Sequence, residues 1–286
     1  MKKKLIKFLI IVFFVVVLIY GYAYFIGTKG LIVKEIKITN KNIPNYFHGL
    51  KIAHISDVHY GRIINDKNIE TIVKKINLLK PDIVVITGDL LDRDRELSEE
   101  NKKTLIENLN KIEVTIGKYA IAGNHDYVYG INQWEKIIEE SNFINLNDTY
   151  DLVYNNGTTP ILINGMSSNL QNKTTINEKL KEVQKILKEE KNKPIYNIMI
   201  MHEPDYIEKF EYEQFDLILA GHSHNGQIKI PLIGAIVTPV GAKKYYDEYY
   251  NLGKTDLYIS SGLGTSGYDI RLFNKPSFNF YRITNK

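Results

Sequence analysis

Cysteine is missing altogether from this 286-residue sequence. Its absence excludes disulfides, thiolate zinc sites and cysteine nucleophiles, so any metal must be held by nitrogen and oxygen ligands. Surplus charge is scarce as well. The formal net charge is +4, and Lys2, Lys3, Lys4 and Lys7 at the amino terminus account for all of it. The rest of the chain is balanced, which argues against a basic surface and against nucleic acid as a partner. No internal repeat of fixed period and no low-complexity segment interrupts the sequence. What is left is an ordinary globular composition, 44% hydrophobic and 24% charged, in a length that suits one large domain with a substantial core.

Residues 8–26 carry no charge, a run long enough as a helix to cross roughly 30 Å of hydrocarbon. Tyr20, Tyr22, Tyr24 and Phe25 cluster at one end, where amphipathic rings favour the membrane interface, and the lysines crowd the other. The positive-inside tendency places the lysine end in the cytoplasm and the following domain outside it, although Lys29, Lys34 and Lys37 lie just past the span. No small-residue cleavage site of the Ala-x-Ala kind follows, so an uncleaved single-pass anchor in the cell membrane is expected. The expected division is an anchor over 1–30, a mixed linker over 31–50 and one folded domain over 51–286.

Within that domain, 51–56 reads as a strand, and Ile69, Ile72, Val73, Ile76 and Leu79 recur at helical spacing. Pro81 then ends the helix before an apolar strand at 83–86. This is a βαβ unit. Leu105, Ile106, Leu109 and Ile112 mark a second amphipathic helix, 119–122 a further strand, and Trp134, Ile137 and Ile138 a third helix. Such alternation predicts a largely parallel sheet covered on both faces. In the second half strands outnumber helices, with strands expected near 161–165, 195–201, 215–220, 227–230, 256–260 and 278–283. One helix stands out there: Thr175 and Glu178 have capping-box spacing, and Leu180, Val183, Ile186 and Leu187 form an apolar stripe opposite a charged, solvated face. Two halves each built on a sheet predict a two-sheet sandwich with helices outside.

The chemistry-bearing residues are Asp57-Val58-His59, Gly88-Asp89, Gly123-Asn124-His125-Asp126, His202 and Gly221-His222-Ser223-His224. Each group follows directly on an expected strand, and strand carboxyl ends are where ligands collect in α/β sheets. Singly these motifs are weak, because Asp-x-His is commonly accidental, Gly-Asp is commonly a turn and a lone buried histidine is commonly core. Jointly they are not, since most of the chain's 7 histidines fall inside these short patterns. Asp57 and His59, two apart just beyond a strand, can swing to one side of a turn and share an ion. A pair of divalent ions brings four positive charges, of which Asp57 and Asp89 offset two, because Asn124 and the histidines are neutral ligands. The remaining charge attracts a phosphate anion and lowers the pKa of a bound water. In two-metal hydrolases the ions lie about 3.5 to 4 Å apart, so one carboxylate can bridge them and a hydroxide can form between them. Asp89 is the bridging candidate.

In this order the motifs resemble those of the calcineurin-like metallophosphoesterases, over about 51–283. The run Gly221-His222-Ser223-His224-Asn225-Gly226-Gln227-Ile228, with Gly262-Leu263-Gly264, Arg271 and Pro276 beyond it, resembles the membrane-associated bacterial branch, which usually has Gly where Asn225 stands. The resemblance implies an α/β fold, a four-layer αββα sandwich of two mixed sheets flanked by helices, here preceded by one transmembrane helix. It implies a phosphoric ester hydrolase with two divalent ions, Mn, Fe, Zn or a mixed pair. Asp57, His59, Asp89 and His224 would hold one ion, and Asp89, Asn124, His202 and His222 the other. His125 would face the substrate and stabilise or protonate the leaving oxygen, with Asp126 orienting its imidazole by hydrogen bonding and keeping it protonated. Arg62 and Arg93 are candidate phosphate contacts, against the alternative of surface ion pairs.

The expected reaction is in-line attack on a phosphodiester or pyrophosphate bond by a metal-bridging hydroxide, with no covalent phosphoenzyme. The anchor points to a membrane or envelope substrate, such as a lipid-linked phosphodiester or a nucleotide-sugar pyrophosphate. Tyr245, Tyr246, Tyr249 and Tyr250 are candidates for a lipid-facing mouth, or else ordinary core and rim residues. A phosphomonoesterase or nuclease would use the same site. A non-catalytic, metal-stabilised membrane scaffold is the alternative from another class, and the His125-Asp126 pair tells against it.

Overall fold

A computed structural model describes residues 1–188 and 193–285. Helix α1 (Lys2–Phe25) is 24 residues long, and its most apolar stretch buries nothing against the rest of the chain, so it is long and apolar enough to cross a membrane. Only Ala23, near its carboxyl end, is buried.

The first sheet runs in the order β1 (Ile32–Thr39), β14 (Ser277–Thr284), β2 (Leu50–Ile55), β3 (Ile83–Thr87), β4 (Gly117–Ile121), β5 (Ile144–Asn145). Only the β14–β2 pairing is antiparallel. The second sheet runs β12 (Tyr249–Leu252), β13 (Thr255–Ile259), β9 (Leu217–Ala220), β8 (Asn197–Met201), β7 (Ile161–Met166), β6 (Tyr150–Val153), parallel through its centre and antiparallel at both edges. A short hairpin of β10 (Lys229–Ile230) and β11 (Gly234–Ala235) stands apart.

Side-chain alternation stacks these layers. In β3, Val84 and Ile86 pack against the helices while Ile83 and Val85 face the other sheet; in β8, Ile198 and Ile200 meet them and Met199 and Met201 face outward. Both faces of each central strand are therefore buried, which is why these strands read as unbroken apolar runs. Helices α2 (Asp66–Leu79), α3 (Glu99–Asn110) and α4 (Asn124–Glu140) cover the first sheet, and α5 (Ile176–Lys188) covers the second, completing the αββα sandwich. Asn65 caps α2 in a reciprocal box with Asn68, Ser98 caps α3, and Glu178 accepts the N–H of Thr175 at 2.9 Å ahead of α5.

Two elements depart from the sequence reading. Residues 31–50, expected as a linker, contain β1, which pairs in parallel with β14 along all eight of its residues, from Ile32 opposite Ser277 to Thr39 opposite Thr284. Lys34, Glu35 and Lys37 and a single buried residue, Ile38, leave β1 no clear two-residue apolar pattern. It is held by the hydrogen bonds of a partner some 240 residues away, a relation no local window contains. The charged face of α5 is also not wholly solvated. Lys179 is buried, and its ammonium donates to the carbonyls of Ser167 and Ser168 at 3.0 and 3.2 Å.

Candidate metal centre

The parallel strands of both sheets end at one place, and the expected ligands lie there. Asp57 and His59 follow β2, Asp89 follows β3, Asn124 and His125 open α4 after β4, His202 follows β8, and His222 and His224 follow β9. All are buried. Asp57, His59, Asp89, His222 and His224 adopt the left-handed backbone region, with φ of 49°, 46°, 52°, 66° and 48°. Such φ values are uncommon outside glycine, and Asp, Asn and His tolerate them best. Each left-handed residue turns the chain sharply off the strand end, so that Asp57 and His59 project to the same side. Gly88 makes the approach possible: its φ is 93°, and a Cβ there would lie 2.5 Å from Nδ1 of His202. Asn225, where the resembling branch has glycine, also sits at a positive φ of 51°, so the turn is kept by the residue type best able to replace glycine.

Two clusters of ligand atoms meet at Asp89. On one side, Nε2 of His59 and Nε2 of His224 are 3.2 Å apart, and Nε2 of His224 is 3.5 Å from Oδ1 of Asp57. On the other, Nε2 of His202 lies 3.1 Å from Oδ1 of Asn124 and 3.2 Å from Oδ2 of Asp89. The same Asp89 oxygen is 3.8 Å from Nε2 of His59, while its Oδ1 accepts the backbone N–H of His125 at 2.8 Å. The triads Asp57, His59, His224 and Asp89, His202, His222 each bring their ligand atoms within 4.8 Å of one another, as does a third of His59, Asp89 and His125.

Outer contacts choose which imidazole nitrogen is free. Nδ1–H of His202 donates to the Thr87 carbonyl at 2.7 Å, which aims Nε2 at Asp89. Nε2–H of His222 donates to the Val240 carbonyl at 2.8 Å, leaving Nδ1 inward. Nδ1 of His59 faces Oδ2 of Asp92 at ion-pair distance, 3.3 Å, and neither atom makes a hydrogen bond among the described residues. The Asp57 carboxylate accepts the His222 N–H on both oxygens, at 3.0 and 3.1 Å. This is the arrangement that fixes metal-ligating imidazoles.

The electrostatics ask for a cation. Burial, together with nearby Asp89, raises the Asp57 carboxyl above its usual range. Asp89, despite its burial, is held well below that range by His202 and His125, and His202 is correspondingly raised by Asp89. Asp89 and His202 thus favour positive charge in the space between them, which a divalent ion would supply on binding, in exchange for any proton held there. Two carboxylates, one amide and four imidazoles, buried and without a thiol, suit borderline divalent cations.

His125 sits beside this pair, its ring centroid 4.5 Å from that of His59. The backbone N–H of Arg93 donates to its Nδ1 at 3.4 Å, which places the proton on Nε2, 3.4 Å from Oγ of Ser266. Burial pushes its pKa down to about 4, against the opposing pull of Asp89. Asp126 does not bond this imidazole, contrary to the sequence reading. As the third residue of α4 its carboxylate turns back over the helix start, accepting the N–H groups of Gly123 at 2.8 Å, Leu91 at 2.8 Å and Leu90 at 3.4 Å. Among the described residues, the carboxylate at ion-pair distance from the His125 imidazole is that of Asp92, 4.0 Å from Nδ1.

Arg62 follows the ion-pair alternative, its Nε donating to Asp269 at 2.5 Å and its Nη1 3.6 Å from Asp92. Arg93 remains half exposed beside the site, 3.7 Å from Asp94. Tyr245 and Tyr250 pack edge to face at 5.1 Å in the outer core, and Tyr249 lies over Tyr258 with its hydroxyl on Asp256. These are core and rim residues.

Sequence reasoning assigned no role to Asp92 or Arg271. Arg271 is fully buried, and its guanidinium donates to the carbonyls of Ser261, Gly264 and Asn274, with Nη2 3.2 Å from Nδ1 of His224. Its place after Gly262-Leu263-Gly264 was the only signal.

Residues 50–226 match the family model described as calcineurin-like phosphoesterase. Metallophosphoesterase YkuE of Bacillus subtilis is 29% identical over 266 residues, covering 92% of this chain and 89% of that protein. A metallophosphoesterase of Campylobacter jejuni is 31% identical over 242 residues, 84% of this chain and 60% of the relative. Among solved structures, the NAD nucleotidase of Haemophilus influenzae superposes with a TM-score of 0.50 at 17% identity, over 75% of this chain and 45% of that one, a likeness of fold.

Proposed function

This chain belongs to the calcineurin-like phosphoesterase family and is a phosphoric ester hydrolase, and on that premise we propose that it cleaves a phosphodiester or pyrophosphate bond of a membrane or envelope substrate at a dinuclear centre. The ligands of that centre are Asp57, His59, Asp89, Asn124, His202, His222 and His224. The observation that carries this reading is the position of Asp89 Oδ2 between Nε2 of His59 and Nε2 of His202, where one carboxylate oxygen can serve both ions.

When bound, two divalent ions supply positive charge to the phosphoryl oxygens and an activated water. The chain's own residues do the rest. Thr87, Val240 and Asp92 hold the three imidazoles with the right nitrogen inward, and His125, neutral at physiological pH, presents Nε2–H to the departing oxygen. In this role His125 is a hydrogen-bond donor, which needs no imidazolium. Asp126 holds the loop after β3 against the start of α4 and so sets the distance between Asp89 and His125. Helix α1 would anchor the domain beside its substrate.

Full-length protein in detergent, supplied with manganese, should hydrolyse bis-p-nitrophenyl phosphate and lose that activity with EDTA. His125→Ala should lower kcat by about 100-fold or more while leaving metal content unchanged. Unchanged turnover in that variant would remove His125 from the reaction.

A further inference from the structure

The segment that opens with the β10–β11 hairpin exposes large aliphatic groups in close succession. Leu232 is exposed to 108%, Ile233 to 72%, Ile236 to 50%, Val237 to 69% and Val240 to 67%. A soluble surface scatters such groups singly, whereas a contiguous strip marks a surface that something covers.

The covering phase is indicated by α1. Phe273, also exposed at 62%, lines one concavity together with Ile230, Leu232 and Ile233 of the hairpin. Main-chain hydrogen bonds from Lys229 N to the Leu272 carbonyl at 2.9 Å, and from Leu272 N to the Gln227 carbonyl at 3.2 Å, fix the hairpin to the residue before Phe273. The Phe273 ring in turn lies 6.4 Å from that of Tyr22 on α1, and Arg271 N donates to the Ala23 carbonyl at 3.0 Å. The apolar strip therefore continues from the end of the hydrophobic helix, through Phe273, to the hairpin. Tyr22 belongs to the aromatic cluster that favours the hydrocarbon boundary, which puts the strip at the same depth.

We propose that residues 230–240, with Phe273, form a second membrane-contacting element that rests in the interfacial layer of the bilayer crossed by α1. The inference rests on the membrane-spanning reading of α1 and is independent of the hydrolase reading. It has a consequence for the metal centre, because the same segment ends at Val240, whose carbonyl holds His222 at 2.8 Å. One rim of the site is thereby laid against the lipid surface, so an ester in the headgroup layer is reached without leaving the membrane.

The chain's lack of cysteine allows the test by single labels. Leu232→Cys, Phe14→Cys and Leu78→Cys, each in the full-length protein and carrying an environment-sensitive fluorophore, are placed in nanodiscs of phosphatidylcholine and phosphatidylglycerol. Leu78 lies on α2 and is 80% exposed. The label at 232 should lose most of its emission to lipid bearing a nitroxide near the headgroup and be protected from aqueous iodide. The label at 78 should behave in the opposite way, and that at 14 should be quenched by a nitroxide deep in the acyl chain. Iodide quenching at 232 equal to that at 78 overturns the proposal. So does shielding at 232 from both quenchers, which would mean that a second copy covers the strip. Failure of lipid quenching at 14 as well as at 232 overturns the span and the contact together, whereas failure at 232 alone leaves the span standing.

Discussion

Nδ1 of His59 faces the carboxylate of Asp92 across 3.3 Å, with both atoms buried and the same Asp92 oxygen 3.6 Å from Nη1 of Arg62. Asp92 therefore sets the tautomer and the aim of a ligand it never shares an ion with. Asp92→Ala should weaken metal binding or activity by about 10- to 100-fold, the usual cost of losing an outer carboxylate on a ligating histidine. Asp92→Asn, which can still accept from Nδ1–H, should recover part of the loss. Metal titration by isothermal calorimetry reads this directly, and an unchanged affinity in the alanine variant would rule out the coupling.

Asp89 is the point where the two clusters meet, so its removal should affect both ions. Asp89→Ala should reduce bound metal from two ions per chain to one or none, measured by plasma emission spectroscopy. Its activity should fall by more than the about 100-fold expected for an outer residue. The wild-type protein should also melt at a lower temperature in EDTA, since an ion present at about 100 times its Kd stabilises by about 2.7 kcal/mol. Retention of two ions by the variant would refute the bridging position.

Arg271 buries a guanidinium against backbone carbonyls of the loop that passes over His224, and burial lowers its pKa to about 10. Arg271→Met removes the donors and strands several carbonyls, at about 1–3 kcal/mol for each left unsatisfied. Arg271→Lys cannot reproduce the planar fork and should rescue little. Thermal unfolding should show both variants destabilised in chelator, and a lysine variant as stable as the wild type would contradict the fork requirement.

His54 is wholly buried in β2, between the Tyr281 hydroxyl at 3.3 Å and the Thr87 hydroxyl at 2.8 Å, and burial lowers its pKa to about 3. In the unfolded chain its pKa is about 6.5. Between those values the unfolded state binds one proton more, so stability should fall as pH drops from about 6.5 toward 3, with a slope of up to about 1.4 kcal/mol per pH unit from this group. His54→Asn should flatten the acid limb of a denaturation series run in EDTA, which removes the contribution of metal release. Parallel curves for the two proteins would exclude His54 as the source.

The order of the ligand motifs, the βαβ start and the capping box ahead of α5 are all legible in the sequence. A central strand buried on both faces must be apolar throughout, so the polar or glycine residue that ends the run marks where the chain leaves the sheet. There the ligand-bearing groups Asp57-Val58-His59, Gly88-Asp89 and Gly221-His222-Ser223-His224 stand. Strand β1 was not legible, because an edge strand with one buried side chain carries almost no period. Asp126 was misread because adjacency to His125 in sequence says nothing of direction, and the third residue of a helix turns back toward its cap.

What the amino-acid order determined by itself is the set of donor types and their attachment to strand ends, because local hydrophobic pattern and chain-reversing residues are properties of a few neighbours. Only the tertiary structure decided which donors share a space. The meeting of His59 with His224, of His222 with Val240, and of Arg271 with the loop over His224 depends on two sheets packing face to face with their parallel strands ending together. That packing is set by burial of the whole inter-sheet core, a sum over many distant side chains.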